Sequence, residues 1–266
     1  MNKDGISVII ITYNNEDTIK KCLNSILKYS PRSEILIVDN NSQDKTKEVI
    51  KEYGDKVILI ESNENLGFAK GNNFGIQKAS GNFLVFLNPD TTLTEDNCLL
   101  LLKEVLEQNP EYGIIGPKLI YPNGKTQLTV RNLPTAFRAF AEYILGIKRA
   151  YDFYEPKCER FCEVESVVGA CMMIPKKLFE EIRGFDKRFF MYFEDLAICK
   201  TVKEKGYKIG YFPEVAVKHI VGQSGRQQPT SEFLISSAKK YHGVFKYYLI
   251  SMIIRVGQII YSKQFK

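Results

Sequence analysis

Four apolar segments recur in the first ninety residues, spaced so that one helix fits between each pair. Ile6–Thr12 is a continuous run of apolar and β-branched residues, the pattern of a strand buried on both faces. Glu34–Asp39, Val57–Glu61 and Phe83–Leu87 repeat it. The intervening stretches Glu16–Tyr29, Gln43–Tyr53 and Lys70–Ala79 carry polar and apolar residues at helical period. This β-α-β-α-β-α-β order predicts a mostly parallel sheet with helices on both faces and right-handed crossovers. Ligands of such α/β folds collect just beyond the carboxyl ends of the strands. Each segment here runs straight into a polar cluster: Thr12-Tyr13-Asn14-Asn15, Asp39-Asn40-Asn41-Ser42, Ser62-Asn63-Glu64-Asn65 and Asn88-Pro89-Asp90. Asn, Asp and Ser are good turn and cap residues, which accounts for one or two of these loops. Four at one sheet edge point to a ligand site.

The second half is less regular. Glu95–Gln108 and Pro134–Arg149 read as helices, Val164–Ile174 as a strand interrupted at Gly169, and Glu194–Lys205 as a helix stopped by Gly206. Lys208–Phe212 and Val215–His219 read as short strands. At 266 residues and 44% hydrophobic, the chain has material for a normal core without disulfides. Met1–Gly5 has no leader character, so the expectation is a cytoplasmic protein whose six cysteines are reduced thiols. Cys158 and Cys162 stand close enough to share a metal, but no second pair follows at zinc-site spacing, and the incidental reading is preferred.

Charge is informative once divided along the chain. From Phe233 to Lys266 there are six basic residues and no acidic one, while the remainder balances 31 basic against 31 acidic. The whole excess of +6 therefore lies in the tail, which suits an anionic surface. Nucleic acid is disfavoured, because no basic face interleaved with aromatics and no known motif accompanies the charge. From Ser236 onward the pattern is helical, and its longest uncharged apolar stretch, Tyr247–Ile254, falls short of the ~20 residues that span a bilayer. An interfacial amphipathic helix on a membrane leaflet is one reading. A terminal helix packed on its own domain, or on a second copy of the chain, is the other.

Five segments in fixed order, Ser7–Ile26, Glu34–Thr46, Asn63–Ile76, Phe83–Leu93 and Val167–Ser224, closely resemble glycosyltransferase family 2. The similarity is greatest to its rhamnosyltransferase-like branch, which builds bacterial surface polysaccharides, and it covers roughly Ile6 to Ser224. It implies a GT-A fold, a nucleotide-sugar donor, a divalent cation (Mg²⁺ or Mn²⁺) and inversion at the anomeric carbon. It also divides the chain into a transferase domain over 1–232, with a nucleotide-sugar half to about residue 120, and a tail over 233–266. A dTDP-rhamnose donor and a UDP-hexose alternative follow from the same likeness; a glycan or lipid-linked glycan acceptor would also explain the basic tail, with peripheral attachment at the inner face of the plasma membrane as the matching expectation.

The resemblance also implies site residues. Thr12, Asn14 and Asp39 match positions that bind base and ribose. The turn through Asn65 and Gly67 into a helix offers backbone N–H groups to a phosphate, with Lys70 and Asn72 as added donors. Asn88 and Asp90 stand where the family usually carries two aspartates, and one carboxylate suffices for a cation that also binds diphosphate. His219 matches the family's second metal ligand, while His242 keeps a structural reading. Glu194 and Asp195 match the catalytic pair: Asp195 as the base that takes the acceptor proton, Glu194 as an orienting group. Ala197 departs from the pattern, where another acid is common. Arg131 reads equally as a partner for phosphate or acceptor carboxylate and as a surface arginine. An inactive nucleotide-sugar-binding scaffold is the competing function. A nucleotidyltransferase would carry a glycine-rich, lysine-containing loop where Thr12–Asn15 stands.

Overall fold

The computed structural model describes residues 4–220 and 230–262. Val221–Ser224 of the motif that starts at His219 lies outside the described residues.

The expected alternation forms as read: β1 (Ile6–Thr12), α1 (Glu16–Tyr29), β2 (Glu34–Asp39), α2 (Thr46–Lys51), β3 (Ile58–Glu61), α3 (Gly67–Gly75) and β4 (Phe83–Leu87). Strand β1 is buried on both faces because successive side chains alternate across the sheet. Val8 and Ile10 pack with Ile19, Leu23 and Ile26 of α1. Ile9 faces the opposite core with Leu36, Val38, Phe86 and Phe179. The remaining elements are β5 (Thr91–Leu93), α4 (Cys98–Gln108), β6 (Tyr112–Ile120), α5 (Ala136–Tyr143), β7 (Cys162–Val164), β8 (Cys171–Pro175), α6 (Lys176–Glu181), α7 (Glu194–Glu204), β9 (Lys208–His219), α8 (Thr230–His242) and α9 (Val244–Ser262).

One sheet runs in the order β3-β2-β1-β4-β8-β6-β9-β5, with β7 also on β9. Strands β1 to β4 are mutually parallel where they pair. β8 lies antiparallel between β4 and β6, while β5 and β7 run antiparallel to β9. Registers Thr12↔Asp39 and Asp39↔Glu61 bring the ends of β1, β2 and β3 level at one edge. Register Thr91↔His219 brings the residue after Asp90 opposite the end of β9.

Several elements depart from the sequence reading. β6 was not foreseen, because Gly113, Gly116 and Pro117 lower the strand character of its sequence. The glycines are there for packing: a Cβ on Gly113 would lie 2.6 Å from Leu178 and Val202, and one on Gly116 2.9 Å from Val167. The two short strands expected across Pro213 are one strand, β9, whose pairing with β6 skips register between Pro117 and Lys118. The tail is two helices rather than one, bent by 116° about Gly243, whose φ is +78°. Cys158 and Cys162 were expected as reduced thiols and are bonded as a disulfide. The other four cysteines are buried and free.

Both tail helices pack on the domain. Phe233 of α8 stacks on Phe190 at 4.6 Å between ring centroids, and Ser237 donates to the Met191 carbonyl at 2.7 Å. Lys240 donates to the Arg188 carbonyl at 2.7 Å. Ile250 of α9 joins Ala139 and Tyr151 in a small core, with Tyr143 partly buried beside them. Among the described residues no single helix is long and apolar enough to cross a membrane.

Candidate active site

The polar loops at the strand ends are tied to one another. Thr12 donates to Asp39 Oδ1 at 3.2 Å, and the Ser42 backbone N–H donates to Oδ2 at 2.9 Å. Asn14, at φ +56°, receives the Gln43 N–H on its side-chain oxygen at 2.8 Å. Thr12, Asn14 and Asp39 are thus brought together as expected, with Asp39 wholly buried.

The start of α3 is more occupied than expected. The Gly67 N–H donates to Asn65 Oδ1 at 2.9 Å, and the Phe68 N–H to the Phe190 carbonyl at 2.7 Å. Gly67 has φ +71°, and a Cβ there would sit 2.3 Å from the Phe190 oxygen. Glycine is needed because the loop before α7 crosses the start of α3 at backbone contact. Asn72 turns inward and donates to the Phe68 carbonyl at 3.0 Å. Lys70 lines an outer cavity of about 630 Å³ with Ser62, Glu64 and Lys187.

A second cavity, of about 330 Å³, gathers Asn88, Gln127, Gly169, Glu194, Asp195 and His219, with Tyr121, Phe153 and Tyr192 among its walls. A smaller one of about 50 Å³ beside it is lined by Tyr13, Asn40, Asn65 and Gly67. Phe68, Asn88 and Met191 line both, which makes the strand-end loops and the acidic pair neighbours.

Glu194 and Asp195 open α7 directly after Tyr192 and Phe193, at φ +68° and +67°. Two consecutive bulky residues in the left-handed region are uncommon and cost on the order of 1–3 kcal/mol each. Asp195 accepts the Leu196 N–H at 2.7 Å and the Gly169 N–H at 3.3 Å. Burial raises its carboxyl above the usual aspartate range, against the opposing pull of those N–H groups and the charge of Arg131. Burial, then the charge of Asp195, raises Glu194 as well. Arg131 itself donates from Nε to the Tyr151 carbonyl at 2.7 Å, and its guanidinium lies 4.5 Å from the Tyr151 ring centre and 5.2 Å from that of Phe153.

Beside His219, Asp90 is 2% exposed, and neither carboxylate oxygen meets a hydrogen-bond partner among the described residues. His219 Nε2 stands 3.5 Å from Asp90 Oδ1. The juxtaposition follows from the β5–β9 pairing, closed by the Ile220 N–H donating to the Asp90 carbonyl at 3.0 Å. A buried carboxylate with uncommitted oxygens beside an imidazole fits a divalent cation. No third His, Cys, Asp or Glu joins them among the described residues. Gln127, Tyr121 and Phe153 belong to this cavity and were missed, since no motif or period marks them in the sequence. Burial pushes the Cys22 and Cys199 thiols up to about 12, so neither offers a thiolate nucleophile.

A profile of "Glycosyl transferase family 2" matches residues 7–183, about two thirds of the chain. The chain belongs to glycosyl transferase family 2. It is therefore a glycosyltransferase, and its relatives include enzymes named for hexosyl and rhamnosyl transfer. It is 28% identical over 220 residues to the low-salt glycan biosynthesis hexosyltransferase Agl10 of Haloferax volcanii, covering 81% of this chain and 67% of that one. It is 25% identical over 259 residues to the N-acetylglucosaminyl-diphospho-decaprenol L-rhamnosyltransferase of Mycobacterium tuberculosis, covering 90% and 83%. Among solved structures, GalNAc-T7 with UDP, GalNAc and Mn²⁺ superposes at a TM-score of 0.66 and 20% identity, over 81% of this chain and 43% of that one. The family-2 chain thus has the mixed α/β architecture of GT-A glycosyltransferases.

Proposed function

We propose that this family-2 enzyme moves a sugar from a nucleoside diphosphate to an acceptor hydroxyl with inversion, in the assembly of a surface polysaccharide. The observation that carries the reading is that a single cavity is lined by the acidic pair of α7 together with Asn88 and His219. Inversion by single displacement needs a base opposite the leaving group and no enzyme nucleophile. Asp195 is that base. Its two N–H partners orient the carboxylate, and its raised carboxyl is a better proton acceptor than an ordinary aspartate. Burial, then the charge of Asp195, raises Glu194 as well, so the two neighbouring carboxyls titrate as a pair.

Asp90 and His219 would hold a divalent cation, Mn²⁺ or Mg²⁺, on the leaving-group side. Such a cation supplies positive charge to the departing diphosphate. Thr12, Asn14 and Asp39 hold the base and ribose end, with Asn65 and Gly67 lining the small cavity beside it and Asn72 bracing the start of α3 from within. Lys70 supplies a cationic side chain to the outer cavity, and the charge of Arg131 acts on Asp195. The aromatic walls formed by Tyr121, Phe153 and Tyr192 offer flat faces to acceptor sugar rings. The name of the mycobacterial relative supports a rhamnosyl donor and a lipid-linked acceptor. A lipid-linked acceptor in turn accounts for the apolar, basic tail as a peripheral contact with the inner leaflet.

The test is a thermal-shift panel of dTDP, UDP, GDP and CDP with and without Mn²⁺, followed by transfer assays with the matching donors. A ligand at about 100 times its dissociation constant adds about 2.7 kcal/mol of stability. A Mn²⁺-dependent shift with dTDP or UDP, and sugar transfer abolished in Asp195→Asn with that shift retained, is the expected result. Binding without transfer by the wild-type protein would make the chain a nucleotide-sugar-binding scaffold instead.

A further inference from the structure

We infer that Gln127 is a positioning residue that fixes the tautomer of His219 and so turns Nε2, bare of its proton, toward Asp90; the metal-binding half of this inference rests on the cation site proposed above. Gln127 lies in the connection between β6 and α5, 4% exposed, with its backbone N–H on the Leu119 carbonyl at 2.8 Å. Its side-chain amide meets His219 twice. One amide atom is 2.6 Å from the His219 carbonyl oxygen, and the other is 3.0 Å from the ring nitrogen Nδ1.

Hydrogen-bond chemistry settles which atom is which. A backbone carbonyl can only accept, so the amide nitrogen of Gln127 must face it. The amide oxygen then faces Nδ1, and it too can only accept. Nδ1 therefore carries the hydrogen. A neutral imidazole has one N–H, which leaves a lone pair on Nε2. That lone pair stands 3.5 Å from Asp90 Oδ1, itself an acceptor, and neither Asp90 oxygen has a hydrogen-bond donor among the described residues. Two acceptors facing each other in a buried place are satisfied by a cation between them. The opposite tautomer would put an N–H toward Asp90 and close the position.

The same two bonds hold the ring against rotation, because Gln127 grips both the backbone and the ring of one residue. Partners behind a metal-binding histidine commonly set its tautomer and affinity in this way. Gln127 was invisible in the sequence, since it is 92 residues from His219 and belongs to no motif.

The chain has only two histidines, so ¹⁵N-imidazole NMR of the metal-free protein resolves them, with His242→Gln assigning the pair. Wild-type His219 should show a pyrrole-like Nδ1 and a pyridine-like Nε2. Gln127→Leu should lose that preference and weaken Mn²⁺ binding, titrated by EPR in the presence of UDP or dTDP, by about 10–100-fold. Gln127→Glu keeps an acceptor at Nδ1 but loses the donor to the His219 carbonyl, and should therefore retain the hydrogen on Nδ1 where Gln127→Leu does not, which separates the tautomer effect from a general packing defect. An unchanged tautomer and unchanged Mn²⁺ affinity in Gln127→Leu would overturn the assignment. A wild-type protein that shows the expected tautomer, loses it in Gln127→Leu, yet binds no Mn²⁺ would overturn the cation site and leave the hydrogen-bond role standing.

Discussion

Asp195 and Glu194 share one buried corner, and the two carboxyls cannot both ionise there at ordinary cost. Burial raises both, and the charge of Asp195 raises Glu194 further. The acid limb of the kcat/KM profile should therefore lie above the range of an exposed aspartate. Asp195→Asn should flatten that limb and lower kcat by about 10²–10⁴-fold, the usual contribution of a general base. Stability follows with a definite sign. A carboxyl whose pKa is raised in the folded state binds more protons folded than unfolded between its ordinary and raised values, so stability falls as pH climbs through that window. Glu194→Gln removes the cost. Its melting temperature should exceed the wild type's at pH 8 and converge with it below the ordinary glutamate range. Equal melting temperatures across that range would mean that Glu194 is solvated. Asp90, Asp195 and His219 were legible because a strand end or helix start carried a chemically necessary residue type. Gln127, Tyr121 and Phe153 were not, because they reach the cavity from a loop whose path only the tertiary fold determines.

The element that brings the site together is the loop before α7, which crosses α3 and is covered by α8. Its carbonyl at Phe190 accepts from Phe68, its carbonyls at Arg188 and Met191 accept from Lys240 and Ser237, and Phe190 stacks on Phe233. These contacts hold Tyr192 and Phe193 in their left-handed conformations and so aim the acidic pair. Gly67→Ala tests the crossing, and Gly124→Ala separates its two costs. Both glycines have positive φ, +71° and +83°, but only at Gly67 would a Cβ meet backbone. Gly124→Ala should cost about 1 kcal/mol, the price of the left-handed conformation alone. Gly67→Ala should cost more in urea denaturation and also abolish the nucleotide-induced thermal shift. Equal losses would show that the loop yields easily. Elements with a clean period, from β1 to β4, were readable from sequence. β6 was not, because the glycines that admit α6 and α7 against it dilute its pattern. β5 was too short to have a pattern, and its importance lies in pairing with β9.

At the scale of the molecule, the tail both packs on the domain and leaves apolar surface uncovered. α9 buries Ile250 against α5 but exposes Phe245 (81%), Tyr248, Met252, Val256 and Ile259, while α5 exposes Phe137 (77%) and Phe140. Leu145 and Ile147 add to them in the connection beyond α5. Isolated exposed apolar residues are ordinary, but a contiguous set marks an interaction surface. Lys148, Arg149, Lys246 and Arg255 lie in the same stretches, and the tail holds the entire charge excess of the chain. Sequence could show that charge and helical period, but not that α5 would contribute, since α5 and α9 come together only in the folded chain. An inner leaflet supplies hydrocarbon for the rings and anionic headgroups worth about 1 kcal/mol per basic residue near the surface. Binding to vesicles with phosphatidylserine should therefore exceed binding to neutral vesicles and fall with salt. The double substitution Phe137→Ser with Phe245→Ser should weaken it at every salt concentration without lowering the melting temperature, because neither ring is buried. Should vesicle binding survive while a dimer seen by light scattering dissociates, the surface joins two copies of the chain, and access to the proposed lipid-linked acceptor must come from elsewhere.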